Sequence, residues 1–226
     1  MSFERFNTYC RTKNNIERLL IDGVLDLEDY FASKFNVRYP LKFHVSYSLF
    51  YIALWSNNLL DTDKTMESFY TECANAGPDR CAFWAPSPDD IRQNLTNLYD
   101  SISVQPIPVK TGNTYGYVDY KMLHVLVFCS LYSPFATYRS LAQGLADLAA
   151  GNGTIILKAM TPPPFECSGD SSKGLEQNII EAQAAIVCND GADIPADLHS
   201  AQKHFEMMSN ASEFGNIWAF GRVRCT

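Results

Sequence analysis

The sequence contains no G-x-S-x-G, no phosphate-binding G-x-x-x-x-G-K-[ST], no G-x-G-x-x-G, no H-E-x-x-H and no EF-hand loop. Each absence removes a chemistry. A hydrolase built on an α/β sheet needs its Ser or Cys on a tight strand-to-helix turn, with small flanking residues that permit the strained backbone exposing the nucleophile. No stretch of this chain supplies that turn. The seven cysteines (Cys10, Cys73, Cys81, Cys129, Cys167, Cys188 and Cys225) form no C-x-x-C, which excludes a zinc ribbon and a thioredoxin-like site, and their odd number leaves a thiol unpaired in a monomer. A net charge of -7 without a Lys/Arg-rich tract provides no field for neutralising phosphates, so nucleic acid is not an expected partner. The longest apolar run, "LFYIALW", is far short of the roughly 20 residues that a membrane-spanning helix needs. "MSFERFNTYCRTKNN" lacks the apolar core of a secretory signal, and the sequence as written is expected to carry neither a membrane span nor an export address.

What is present is a hydrophobic share of 46% over 226 residues, enough for one large domain or two small ones. "IERLLIDGVLD" reads as a buried strand, Leu19 to Ile21, running into an Asp22-Gly23 turn. Asp26 is a candidate cap for the helix-favouring "LEDYFAS". A longer helix contains Leu59, Met66, Phe69 and Tyr70 at helical spacing, with Asp61 or Thr62 near its start and a stop at Gly77-Pro78. "SPDDIRQNLTNLYDSI" combines a Ser87 cap, Pro88 at the first helical position, acids in the first turn, and Ile91, Leu95, Leu98 and Ile102 on one face. The Pro-containing "VQPIPVKTGNTYG" is extended. "YVDYKMLHVLVFCSLY" is nearly apolar all round and reads as a buried helix, followed by "FATYRSLAQGLADLAAG", which ends at Gly151. The stretch "GNGTIILKAMTPPPFECSGDSSKG" reads as a surface excursion. "LEQNIIEAQAAIVCNDG" reads as a helix passing into a strand, "AIVCND", and "IPADLHSAQKHFEMMSNAS" as an amphipathic helix before the aromatic "FGNIWAFGRVRCT".

Few residues are candidates for chemistry. His124 lies in the apolar helix near Asp119, an arrangement that admits either an acid/base pair or a core histidine satisfied by its neighbours. Asp190 in "CNDG" stands at the end of the expected strand, where an α/β enzyme places functional acids, although Asn-Asp-Gly is also ordinary turn chemistry. His199 and His204, five residues apart, are misaligned for joint metal ligation and read as surface or helix-edge residues. No cofactor or metal is expected. Cys73 and Cys81 flank the "NAGPDR" turn, as a local disulfide in an oxidising compartment or as two buried thiols. Asn94-Leu-Thr96, Asn152-Gly-Thr154 and Asn210-Ala-Ser212 are acceptor sequons that matter only to a chain in the secretory pathway, and a motif this short is expected to arise by chance.

At "IERLLIDGVLDLEDYFA", through "LWSNNLLDTDKTMESFYTECANAGPDRCAFWAPSPDDIRQNL", and again at "EAQAAIVCNDG" and "FGNIWAFGRVRCT", the chain resembles the fungal α/β-hydrolases related to tripeptidyl and prolyl aminopeptidases, over most of residues 16–226. The resemblance implies an α/β fold that is predominantly α-helical here. Residues 1–30 would be a remnant of the hydrolase core, 31–185 a helical cap, and 186–226 the return toward the core. The family pattern runs from "DYFA" almost directly to "LWSNNLLDTD", which makes 34–53 an insertion, either a retained intron, which its in-frame length suits, or a real edge hairpin with Pro40 at its turn. In such enzymes the nucleophile elbow would lie before Ile16 and the catalytic Asp and His after Thr226, so no catalytic residue carries over. The resemblance therefore implies serine-hydrolase ancestry on peptide or ester substrates without hydrolysis by this chain alone. The expected partners are a small-molecule or peptide ligand in the cap cleft, and a second copy through an exposed core edge. The alternatives are a non-catalytic helical binding module and a repurposed enzyme of a fungal biosynthetic pathway.

Overall fold

The computed structural model describes residues 56–112, 114–161, 179–190 and 197–223. Among these residues the protein is predominantly helical, with eight α-helices and one two-stranded antiparallel sheet. The strand expected at Leu19 to Ile21, the Asp26 cap and the 34–53 insertion lie outside the described residues.

A single 3-10 turn, Ser56–Leu59, leads into α1, Thr62–Ala76. Met66, Phe69, Tyr70 and Cys73 recur at helical spacing and are buried along one face of α1. The helix ends at Gly77, whose φ of 78° lies in the left-handed region that glycine adopts without a Cβ penalty, and Pro78 follows. Two of its last carbonyls are satisfied from the connecting loop: Trp84 Nε1 donates to Ala74 O and Arg80 Nε to Ala76 O, each at 3.2 Å. A Cys73–Cys81 disulfide, with Cα atoms 5.3 Å apart, ties this loop to the helix. Closing so short a loop stabilises the fold by about 2–3 kcal/mol.

Helix α2, Pro88–Val104, starts as its sequence predicts. Ser87 Oγ accepts from Asp90 N at 3.1 Å, Pro88 takes the first helical position, and Ile91, Leu95, Leu98 and Ile102 form the buried face. Across the α1–α2 contact Arg92 pairs with Glu67 and sets its guanidinium 4.9 Å from the centre of the Tyr70 ring.

The extended stretch folds back on itself as a hairpin, supplying all of β1, Ile107–Thr111, and the start of β2, Thr114–Val118, with Ile107 opposite Val118 and Val109 opposite Gly116. Beneath it sits α5, Thr154–Met160, with Ile156 and Leu157 buried. This corrects the expectation of a surface excursion: the apolar opening of that segment is a helix packed on the hairpin. Two glycines permit the contact. A Cβ on Gly153 would come within 2.7 Å of Val118 Cγ2 and 2.8 Å of Val109 Cγ2, and one on Gly116 within 3.0 Å of Leu157 Cδ1.

Helices α3, Tyr120–Ser130, and α4, Pro134–Ala149, follow in sequence as expected. α3 is buried along Leu123, His124, Val127 and Phe128, while Cys129 on its other side is exposed, so the helix is less enclosed than its composition suggests. Tyr138 of α4 donates to Thr65 O at 2.7 Å, hydrogen-bonds Ser68 Oγ at 3.0 Å and meets Phe69 edge-on, joining α4 to α1.

The stretch "AIVCND" belongs to helix α6, Ile179–Asp190, and is not a strand; α6 packs against α8, Gly215–Val223. The 185/186 boundary falls inside this helix. α7, Leu198–Ala211, is capped by Asp197, whose Oδ1 accepts from Ser200 N at 2.9 Å. His204 is buried on α7, which corrects its reading as a surface or helix-edge residue; His199 is exposed. The α7–α8 turn is fastened to α1 by Asp63, whose Oδ1 accepts from both Ser212 Oγ and Glu213 N.

Candidate functional site

The candidate site is a cleft of about 370 Å³ where the 3-10 turn, the start of α1, the end of α3 and the face of α8 converge. One wall is polar: Asn58, Asp61, Thr62 and Thr65. The other is apolar and largely aromatic: Phe128, Leu131, Tyr132 and Trp218.

The polar wall is biased toward accepting hydrogen bonds. Thr65 Oγ1 donates to Asp61 O at 2.8 Å and Thr62 Oγ1 to Asn58 O at 3.5 Å, so these hydroxyls spend their single proton on backbone and keep only lone pairs. Asp61 stands at the N-cap position of α1 without a side-chain cap hydrogen bond; its Oδ1 accepts from the exposed Lys64 ammonium at 2.8 Å. That pair is solvent-screened and of little energetic weight. Phe128 meets Tyr132 edge-on at 5.6 Å and lies 6.0 Å from Trp218, which fixes the opposite wall as an aromatic surface. Acceptors facing aromatic rings suit a ligand with an apolar body and a cationic or donor-rich end.

Neither Asp119 nor His124 lines this cleft. Asp119 is the N-cap of α3, its Oδ1 accepting from Met122 N at 2.8 Å. His124 turns elsewhere: Nε2 lies 3.3 Å from Asn216 Oδ1, and the ring is stacked between Tyr120 and Phe214 at 5.1 and 5.0 Å. Asp119 and His124 share no hydrogen bond, and the structure supports the core-histidine alternative. Removal of the ring from water holds the His124 pKa below its ordinary value, against the raising effect of Asn216 and the Glu213 backbone, so the imidazole is neutral near pH 7. Asp190 is the last residue of α6, at a helix end and not a strand end.

Cys73 and Cys81 border a second cavity of about 490 Å³ over the disulfide, beside Glu72, Arg80 and Arg139. The one free thiol among the described residues, Cys129, has its pKa raised by burial of the sulfur although the residue retains solvent contact, the opposite of an activated nucleophile. Among the described residues no group of three His, Cys, Asp or Glu side chains is arranged to hold a metal ion, and no helix is long and apolar enough to cross a membrane.

Sequence reasoning missed the cleft because its residues carry ordinary structural signals. Asp61 and Thr62 read as helix-start residues and Trp218 as part of an aromatic terminus; only the fold places them across from one another. No family model, no curated protein and no solved structure matches this chain.

Proposed function

We propose that this chain is the cap portion of an α/β-hydrolase of the fungal tripeptidyl and prolyl aminopeptidase-like group, and that it encloses a small amine-bearing ligand such as a short peptide without cleaving it. The family part of this reading rests on the sequence resemblance; the observation that supports the ligand is the cleft at Asp61 and Trp218, whose acceptors and aromatic rings complement the ammonium and the apolar side chain of a peptide amino terminus. Acyl transfer requires a nucleophile, a base and an oxyanion site within hydrogen-bond reach of one another. No residue of this chain is assigned to those roles. A non-catalytic binding module is the second reading, and it rests on the same cleft.

Calorimetric titration with an apolar dipeptide and with its N-acetylated form tests the proposal, beside a fluorophosphonate label. The free amine is expected to bind roughly tenfold more tightly than the acetylated form, with Asp61→Asn erasing the difference, and no serine is expected to take the label. Equal affinity for the two peptides would remove the amine assignment. Covalent labelling of a serine would overturn the non-hydrolytic reading.

A further inference from the structure

We propose, against the expectation of no export address read from "MSFERFNTYCRTKNN", that the chain matures in an oxidising secretory lumen and carries N-linked glycans on Asn94, Asn152 and Asn210. This inference stands apart from the proposed function and from the cleft, since none of the three asparagines lines it.

Two independent features point to it. Each asparagine heads an N-x-[ST] triplet whose middle residue, Leu95, Gly153 or Ala211, is not proline, and each is exposed. The Cys73–Cys81 disulfide is formed, and Cys188 is disulfide-bonded as well. Disulfides persist in the compartments through which secreted chains pass and are rare in the cytosol.

The folded protein accommodates a glycan at all three positions. Asn94 lies on the outward side of α2, while its neighbour Leu95 turns into the core with Ile91 and Leu98. Asn152 sits in the loop between α4 and α5, where its Oδ1 accepts from Thr154 N at 3.1 Å. A glycan attaches through Nδ2, so that bond survives. Asn210 is exposed in the last turn of α7.

The triplet hydroxyls set the timing. Ser212 Oγ is buried, donates to Asp63 and accepts from Phe214 N at 3.2 Å. It is free to assist an acceptor amide only before the α7–α8 turn docks on α1, so Asn210 is modified during synthesis and not on the finished fold. In the transfer, Asn Nδ2 bonds to the anomeric carbon of a polyprenyl-diphosphate-linked oligosaccharide. The bond from that carbon to the phosphate oxygen breaks, the polyprenyl diphosphate leaves with the bonding pair, and the amide gives up one proton.

The test is peptide mass spectrometry on the chain recovered from the cells that make it, with free thiols alkylated before reduction and glycans removed by peptide N-glycosidase in heavy-oxygen water. Labelled Asp is expected at positions 94, 152 and 210, with Cys73 and Cys81 reacting only after reduction. Thr154→Ala, which keeps Asn152 and its backbone contact, is expected to abolish the label at that site alone, and Asn210→Gln to remove its glycan without loss of fold. An unmodified Asn at any one position overturns the assignment of that acceptor. Unmodified Asn at all three, or Cys73 and Cys81 alkylated without reduction, overturns the proposal.

Discussion

Asp63 and Glu213 show how a few polar residues govern this helical body. Asp63 reaches from the first turn of α1 to the α7–α8 turn and ties Ser212 and Glu213 to it. The Glu213 carboxyl feels the charges of Asp63, Arg92 and Glu67. Although the residue as a whole is exposed, partial desolvation of the carboxyl raises its pKa first, the Asp63 charge raises it further, Arg92 opposes this, and Glu67 adds to the rise. A carboxyl whose folded pKa is raised contributes stability that is fully present below the unfolded value and is lost as pH rises through the folded one. Glu213→Gln is therefore expected to stabilise the protein at pH 7 and to have little effect at pH 4. Urea-unfolding midpoints at the two pH values check this, and equal shifts at both would contradict the assignment. His124 has the opposite slope: its folded pKa is lowered, so its contribution is complete above the ordinary histidine value and declines as pH falls below it.

At the scale of elements, α2 was fully legible because its signals are local. Ser87, Pro88 and the acids at 89 and 90 satisfy the helix start from within the same turn, and the Ile91-to-Ile102 stripe needs only a partner surface. The segments at 154–160 and 185–190 were not legible. Short apolar runs suit a strand, a helix or a loop edge equally well by period, and the surface they dock on decides among these. "TIILKAM" is a helix because the hairpin above it offers Val109 and Val118 across Gly153. Gly153→Ala is expected to destabilise the protein by about 1–3 kcal/mol, since the new methyl meets two β-branched side chains with no room to retreat. Thermal or chemical unfolding of that variant is the check, and a change under about 0.5 kcal/mol would show that the hairpin and α5 yield more than this packing allows.

For the whole molecule, the relevant property is convergence. The 3-10 turn and α8 are far apart in sequence, yet they bring Asn58 and Trp218 to the same cleft. A ligand bound there bridges the two and stabilises the fold by mass action, about 2.7 kcal/mol at a hundredfold excess over Kd. An apolar dipeptide at saturation is thus expected to raise the Tm of the wild-type protein and to leave that of Trp218→Ala unchanged. A rise of the same size in both would place the peptide elsewhere on the surface.

By itself the sequence determined the properties that act over one or two turns of chain: the Ser87 cap, the Gly77 and Gly151 helix ends, the buried stripes of α1 and α2, and the lack of a nucleophile motif. Those depend on φ preferences, capping chemistry and period, which neighbouring residues settle among themselves. Tertiary structure alone decided that His204 is buried, that "AIVCND" is helical, that His124 stacks between Tyr120 and Phe214 instead of facing Asp119, and that Asp61 and Trp218 share a cleft. Burial and side-chain partnership depend on which surfaces meet, and long-range packing sets that geometry.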